Sequence, residues 1–185
     1  MQRRTLLCLA PALLAATSVR AEADKGTKQM EIKTKGLQAL QDFYKADPKL
    51  KDAVAKAPGY AVFTTYGLSF GFGGAGGRGF AHDSTAKTDA FMNIGQASAG
   101  AQLGISDTRY LFVFDSPKAV ADFIDKGWDA SASASAGAGV GTSAANVGAG
   151  AGNIQGGRMY ALTKAGLQAG GAVSGLKAWK DKDLN

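Results

Sequence analysis

The sequence holds one cysteine, Cys8, and it lies in an N-terminal stretch that reads as a removable leader. Disulfides and thiolate metal sites are therefore excluded from the rest of the chain. Histidine is as scarce: His82 stands alone, so a zinc site would have to be completed by carboxylates, an uncommon donor set. No apolar run reaches the roughly 20 residues that a membrane-spanning helix needs. With 45% hydrophobic and 19% charged residues, the composition is that of a globular protein and not of a disordered one. Glycine is what the chain has in excess: 26 of 185 residues, about twice the usual share of about 7%.

The first residues have the order of an export signal. Arg3 and Arg4 precede the short apolar run Leu6–Ala16, and Val19-Arg20-Ala21 offers a small-residue cleavage point after Ala21. Arg3-Arg4-Thr5-Leu6-Leu7 suits a twin-arginine signal as well as a general secretory one. The expected location is periplasmic or otherwise exported, peripheral on a membrane. Removal of residues 1–21 takes away Arg3, Arg4 and Arg20 and no acid, so the formal charge of +6 falls to +3. The basic balance is thus partly a property of the leader.

Residues 22–58 form a lysine-rich helical segment. Met30, Leu37, Leu40 and Tyr44 recur at helical spacings, which predicts one buried stripe. Asp47-Pro48 reads as a cap and first helical residue before a short second helix with Leu50 and Val54 on one face. Ala57-Pro58-Gly59 ends it. From Gly59 to Asn185 the period is mostly two. Strands are expected over Tyr60–Thr65, Leu68–Ala81, Asp89–Ile94 with a bulge near Gly95, and Arg109–Phe114. Ser116-Pro117 opens the clearest helix, with Val120, Phe123 and Ile124 inward and Gly127 as its C-cap. Arg158–Thr163 and Leu167–Leu176 make a closing hairpin, followed by a charged tail around Trp179. The fold class is α+β: a curved antiparallel, barrel-like sheet of about seven or eight strands, with N-terminal helices and one helix between the strand groups.

Residues 129–152 are almost wholly Ala, Gly and Ser, and they alternate. Ala130 to Val140 occupy even positions; after Thr142–Asn146 the phase inverts to Val147, Ala149 and Ala151. This pattern predicts two small-residue strands joined by a turn, able to admit a close neighbour.

No constellation supports catalysis or a cofactor. Gly71, Gly73 and Gly76 satisfy G-x-G-x-x-G, but Arg78-Gly79-Phe80 continues as strand where a dinucleotide site needs a helix N-terminus. His82-Asp83-Ser84 places triad residue types side by side in a turn, and a triad needs them to converge from separate positions. Asp122 and Asp125 are neighbours on a solvated helix face, not carboxyls opposed across a cleft, and Asp129 follows the helix. The candidate binding residues are basic: Lys28, Lys33, Lys35, Lys45, Lys49, Lys51, Lys56 and Arg78. Near an anionic leaflet each can contribute about 1 kcal/mol; the same lysines, diluted by Glu22, Asp24, Glu31, Asp42, Asp47 and Asp52, also suit a solvated helix face. Nucleic acid is disfavoured by the small excess of charge.

The motifs resemble a known family. Gly59-Tyr60-Ala61-Val62-Phe63 and the run Gly71–Gly79 are similar to the opening motifs of the SYLF lipid-binding domain. Gly100–Gly104 with Tyr110–Phe114 resembles its middle motif, Trp128–Ser131 its small-residue segment, and Tyr160–Gly175 its closing hairpin. The resemblance implies lipid binding without catalysis; some members contact phosphoinositide membranes through a basic amphipathic N-terminal segment, and some contact actin. The export-type leader argues against those two partners and for an anionic phospholipid or membrane surface. A second reading is an envelope structural or interaction module that docks a protein partner through its glycine-rich strands.

Overall fold

The computed structural model describes residues 12–130, 152–163, 166–169 and 176–185. Side chains are described from residue 22 onward, apart from 67–74, 96–106, 152–153 and 166–169.

Two helices come first, α1 (Ala12–Ala46) and α2 (Lys49–Lys56). α1 runs without a break through Val19-Arg20-Ala21. Pro48 takes the N-cap position of α2, one residue earlier in the helix than expected. The Asp47 side chain still accepts from the Lys49 amide at 3.0 Å, satisfying one otherwise orphaned donor.

The four expected central strands are two long ones, β1 (Gly59–Asp83) and β2 (Thr88–Phe114). They pair antiparallel from Tyr60 opposite Val113 to Asp83 opposite Thr88. The bulge expected near Gly95 lies elsewhere: the register slips between the pairs Phe70–Leu103 and Phe72–Ala99. β1 also doubles back on itself. A Cβ on Gly77 would stand 2.1 Å from the Thr64 carbonyl oxygen, and one on Gly79 2.0 Å from that of Val62. The Ser84 amide donates to the Pro58 carbonyl at 2.9 Å, and the Tyr60 and His82 rings lie 5.3 Å apart. The two halves of β1 therefore lie side by side and antiparallel, at a separation that a side chain on either glycine would prevent.

The other edge of β2 is shared. β5 (Gly157–Thr163) pairs along Arg109–Phe114 and β7 (Leu176–Lys180) along Met92–Gln96. β4 (Gly152–Ile154) and β6 (Gly166–Ala169) pair with β5, and β3 (Trp128–Asp129) pairs with β7. The result is the expected α+β architecture, a curved antiparallel half-barrel of seven strands flanked by helices. The closing hairpin is β5–β6, and the charged tail around Trp179 supplies β7. The hairpin expected in the Ala/Gly/Ser tract falls on residues 131–151, outside those described.

Period-two alternation sorts the apolar side chains onto two faces. Phe63, Phe112 and Phe114 pack with Val120 and Phe123 of α3 (Pro117–Lys126). Val62, Phe80, Leu111 and Val113 pack on the opposite face with Leu40 and Phe43 of α1 and Leu50 and Val54 of α2. α3 begins and ends as its sequence dictates. The Ser116 hydroxyl accepts from the Ala119 amide at 3.2 Å, and Gly127 closes the helix at φ 74°. Ser116→Ala is expected to cost about 1 kcal/mol, read as a lower urea midpoint; an unchanged midpoint would show that the cap contributes nothing.

The buried stripe of α1 is Ile32, Ala39, Leu40 and Phe43, with Gly36 pressed on the Phe80 ring. Met30 and Leu37, expected within the stripe, instead face solvent at 72% and 44% exposure.

Candidate functional site

The eight basic positions are all exposed, and the fold divides them. Lys28, Lys35 and Arg78 gather on one flank of α1. A cleft of about 230 Å³ there is lined by these three with Glu31 and Tyr66. A neighbouring cavity of about 220 Å³ shares Lys28 and Arg78 and adds Asp24, Asp181 and Asp183. Lys28 pairs with Asp24 at 2.8 Å and Lys35 with Glu31 at 2.7 Å. The hydrogen bond and charge of Lys35, aided by Arg78, hold the Glu31 carboxyl below its usual range.

Lys33 stands on the opposite flank of α1 and bonds Asp89 at 2.5 Å. His82 Nδ1 lies 2.7 Å from the other oxygen of Asp89. Burial pushes the Asp89 carboxyl up, but the combined hydrogen bonds and charges of Lys33 and His82 outweigh it and hold the group below its ordinary value. Lys33 therefore pins α1 to the start of β2, and His82 belongs to the same clasp. Asp83 accepts from the Thr85 and Ala86 amides, so the His82-Asp83-Ser84 run builds a turn and no triad.

Tyr60 covers His82 from the side. Burial, then the charges of Asp89 and Tyr44, push its hydroxyl up to about 12 from the usual 10.0. The folded chain prefers the neutral phenol. That contribution to stability is whole below pH 10 and is lost as the pH rises toward about 12. Tyr60→Phe is expected to flatten part of the decline across this window, measured by urea titrations at successive pH values. Identical declines in the two proteins would overturn it.

Lys45 pairs loosely with Asp42 at 3.6 Å. Lys49, Lys51 and Lys56 surround the exposed side of α2 and, like Arg78, have no carboxylate within 4.0 Å among the described residues. Met30 and Leu37 project from the outer face of α1, between the flanks that carry Lys33 and Lys35. Sequence reasoning found the cations but assigned these two apolar side chains to the core. It also passed over Tyr66, 61% exposed beside Arg78. Gly77 and Gly79, offered by the sequence as a docking face, are occupied by the first half of β1.

Asp122 is held by Lys118 and Lys126, whose hydrogen bonds and charges bring its carboxyl down to about 2. Asp129 sits on β3, 3.6 Å from Lys177. The cleft beside α3 is lined by Asp122 without Asp125 or Asp129. Among the described residues no three His, Cys, Asp or Glu side chains come together as metal ligands, and no helix is long and apolar enough to cross a membrane.

Residues 95–185 match the family model described as Ysc84, Las17-binding protein actin regulator. That stretch is similar to the Ysc84/SYLF family, whose domains are non-catalytic modules that interact with lipids and membranes. No curated protein matches the chain. The match begins at Gly95, so α1, α2, β1 and all eight basic positions precede it. Proteins with this domain are cytoplasmic regulators of actin and membranes. The expected periplasmic or exported location is thereby overturned: it rested on the composition of the first 21 residues alone. The ground for setting actin and phosphoinositides aside falls with it.

Proposed function

We propose that the chain binds anionic lipid surfaces through its helical layer. The observation that carries this reading is the outer face of α1, which buries one stripe in the fold and still exposes Met30 and Leu37 between lysine flanks. Apolar side chains bordered by Lys are the signature of a helix that lies in a membrane interface. Lys49, Lys51 and Lys56 of α2, which make no ion pair among the described residues, extend the basic surface and can meet lipid phosphates without breaking a described bridge. The second half of the chain supports the same reading through its family.

Co-sedimentation of the full chain with phosphatidylglycerol-containing vesicles is the test. Binding at low salt, weaker at high salt and absent with phosphatidylcholine alone, is the expected pattern. A chain that stays in the supernatant at low salt sinks the reading.

A further inference from the structure

Beyond α1 the same sheet face carries a second patch that no described residue covers. Directly paired residues of antiparallel strands share a face. Arg78 is paired with Asn93, and Asn93 with Trp179. In the next row Gly76 is paired with Gly95, and Gly95 with Lys177. Leu176 and Ala178, which alternate with Lys177 and Trp179, point into the core beneath α3, so both rows lie on the α1 side of the sheet. Tyr66 ends the first half of β1 and shares a cleft with Arg78.

This patch is open. Tyr66 is 61% and Trp179 43% exposed. Among the described residues nothing lies within 4 Å of the place a Cβ would take on Gly76, and the Trp179 ring reaches over Gly95. Glycines thus form a low shelf between two aromatic side chains. The polar groups around it are unequal in freedom. Asn93 donates to Asp181 at 3.1 Å, and Lys177 reaches Asp129 at 3.6 Å. Arg78 has no carboxylate within 4.0 Å among the described residues, although Asp107 is paired with Tyr66 and Glu31, Asp24, Asp181 and Asp183 line the cavities beside it. Tyr and Trp combine an apolar body with a polar tip and settle at the headgroup level of bilayers. A free guanidinium is built to grip phosphate through two parallel hydrogen bonds.

We propose that this patch docks on an anionic phospholipid bilayer, with Trp179 and Tyr66 at headgroup depth and Arg78 on a lipid phosphate. The inference rests on the membrane reading above and adds which part of the sheet touches the lipid. Patch and α1 share a sheet face, so one bilayer approaches both from the same side.

Trp128→Phe leaves Trp179 as the sole indole, since the chain has two tryptophans. Vesicles of phosphatidylglycerol and phosphatidylcholine are then added while emission and co-sedimentation are read on the same samples. The expected result is a blue shift of Trp179 and its quenching by lipids brominated near the headgroup. In the wild-type background, Trp179→Ala and Tyr66→Ala should each weaken pelleting roughly tenfold, the weight of one aromatic anchor. Vesicles that pellet the chain without moving Trp179, or alanine variants that pellet like wild type, overturn the patch and leave the membrane reading standing. Failure to pellet at low salt overturns both. An equal Trp179 shift with heparin would reassign the patch to soluble polyanions and overturn the bilayer assignment.

Discussion

Gly79→Ala lowers the free energy of unfolding by about 3 kcal/mol, the upper end of the usual cost of overpacking. The reason lies in what the new methyl group meets. It would stand 2.0 Å from the Val62 carbonyl oxygen, 2.6 Å from the Phe63 ring and 2.8 Å from the Phe63 Cα. Two of these are backbone atoms, and no rotamer change moves them. The halves of β1 must separate, and Val62 and Phe63, buried on opposite faces, move with them. Gly76→Ala is the control, three residues earlier on the same strand, with nothing within 4 Å of its Cβ position among the described residues. There the change should stay within about 1 kcal/mol and can be stabilising, because alanine restricts the unfolded chain. Urea titrations followed by far-UV circular dichroism measure both. Equal midpoints for the two variants would falsify the side-by-side arrangement of the β1 halves.

How much of this was legible in the sequence depends on how local each signal is. α3 was readable to the residue: Ser116, Pro117 and Gly127 act within one turn of themselves, and Val120 and Phe123 define their own stripe. The sheet was readable as alternation, but alternation does not say where a strand ends. Glycine-rich stretches looked like interruptions, and two continuous strands read as four. The doubling back of β1 depends on contacts between residues such as Val62 and Gly79, which no local pattern displays. α1 shows the converse. Met30, Leu37 and Tyr44 have the stronger apolar spacing, yet the helix buries Gly36 and Ala39, because Phe80 and Val62 demand a close approach. Small residues at a tight interface weigh little on any hydropathy scale. The basic residues of the candidate site were visible, whereas their partners were not. The Lys33–Asp89 clasp spans 56 positions. The Arg78–Asn93–Trp179 row exists only once three strands are in register.

Lys49→Gln, Lys51→Gln and Lys56→Gln together lower the affinity for phosphatidylglycerol vesicles roughly 100-fold. Each lysine near an anionic leaflet contributes about 1 kcal/mol, and about 1.4 kcal/mol is a factor of ten. The three side chains are exposed and make no ion pair among the described residues, so their neutralisation leaves Leu50 and Val54 packed. The urea midpoint should therefore stay near that of wild type. Because the loss is electrostatic, the difference from wild type should shrink as salt shortens the range of charge interactions. Lys118→Gln with Lys126→Gln supplies the directional control. Those lysines flank Asp122 on α3, beneath the other face of the sheet. If the helical layer of α1 and α2 is what meets the lipid, this pair leaves vesicle affinity unchanged although it removes two positive charges. Met30→Ser with Leu37→Ser separates the apolar part: both side chains are exposed, so folding is spared while the salt-resistant fraction of binding falls. A loss of equal size from the α3 pair and the α2 triple would mean that net charge alone drives attraction, and the docking face assigned to α1 and α2 would be withdrawn.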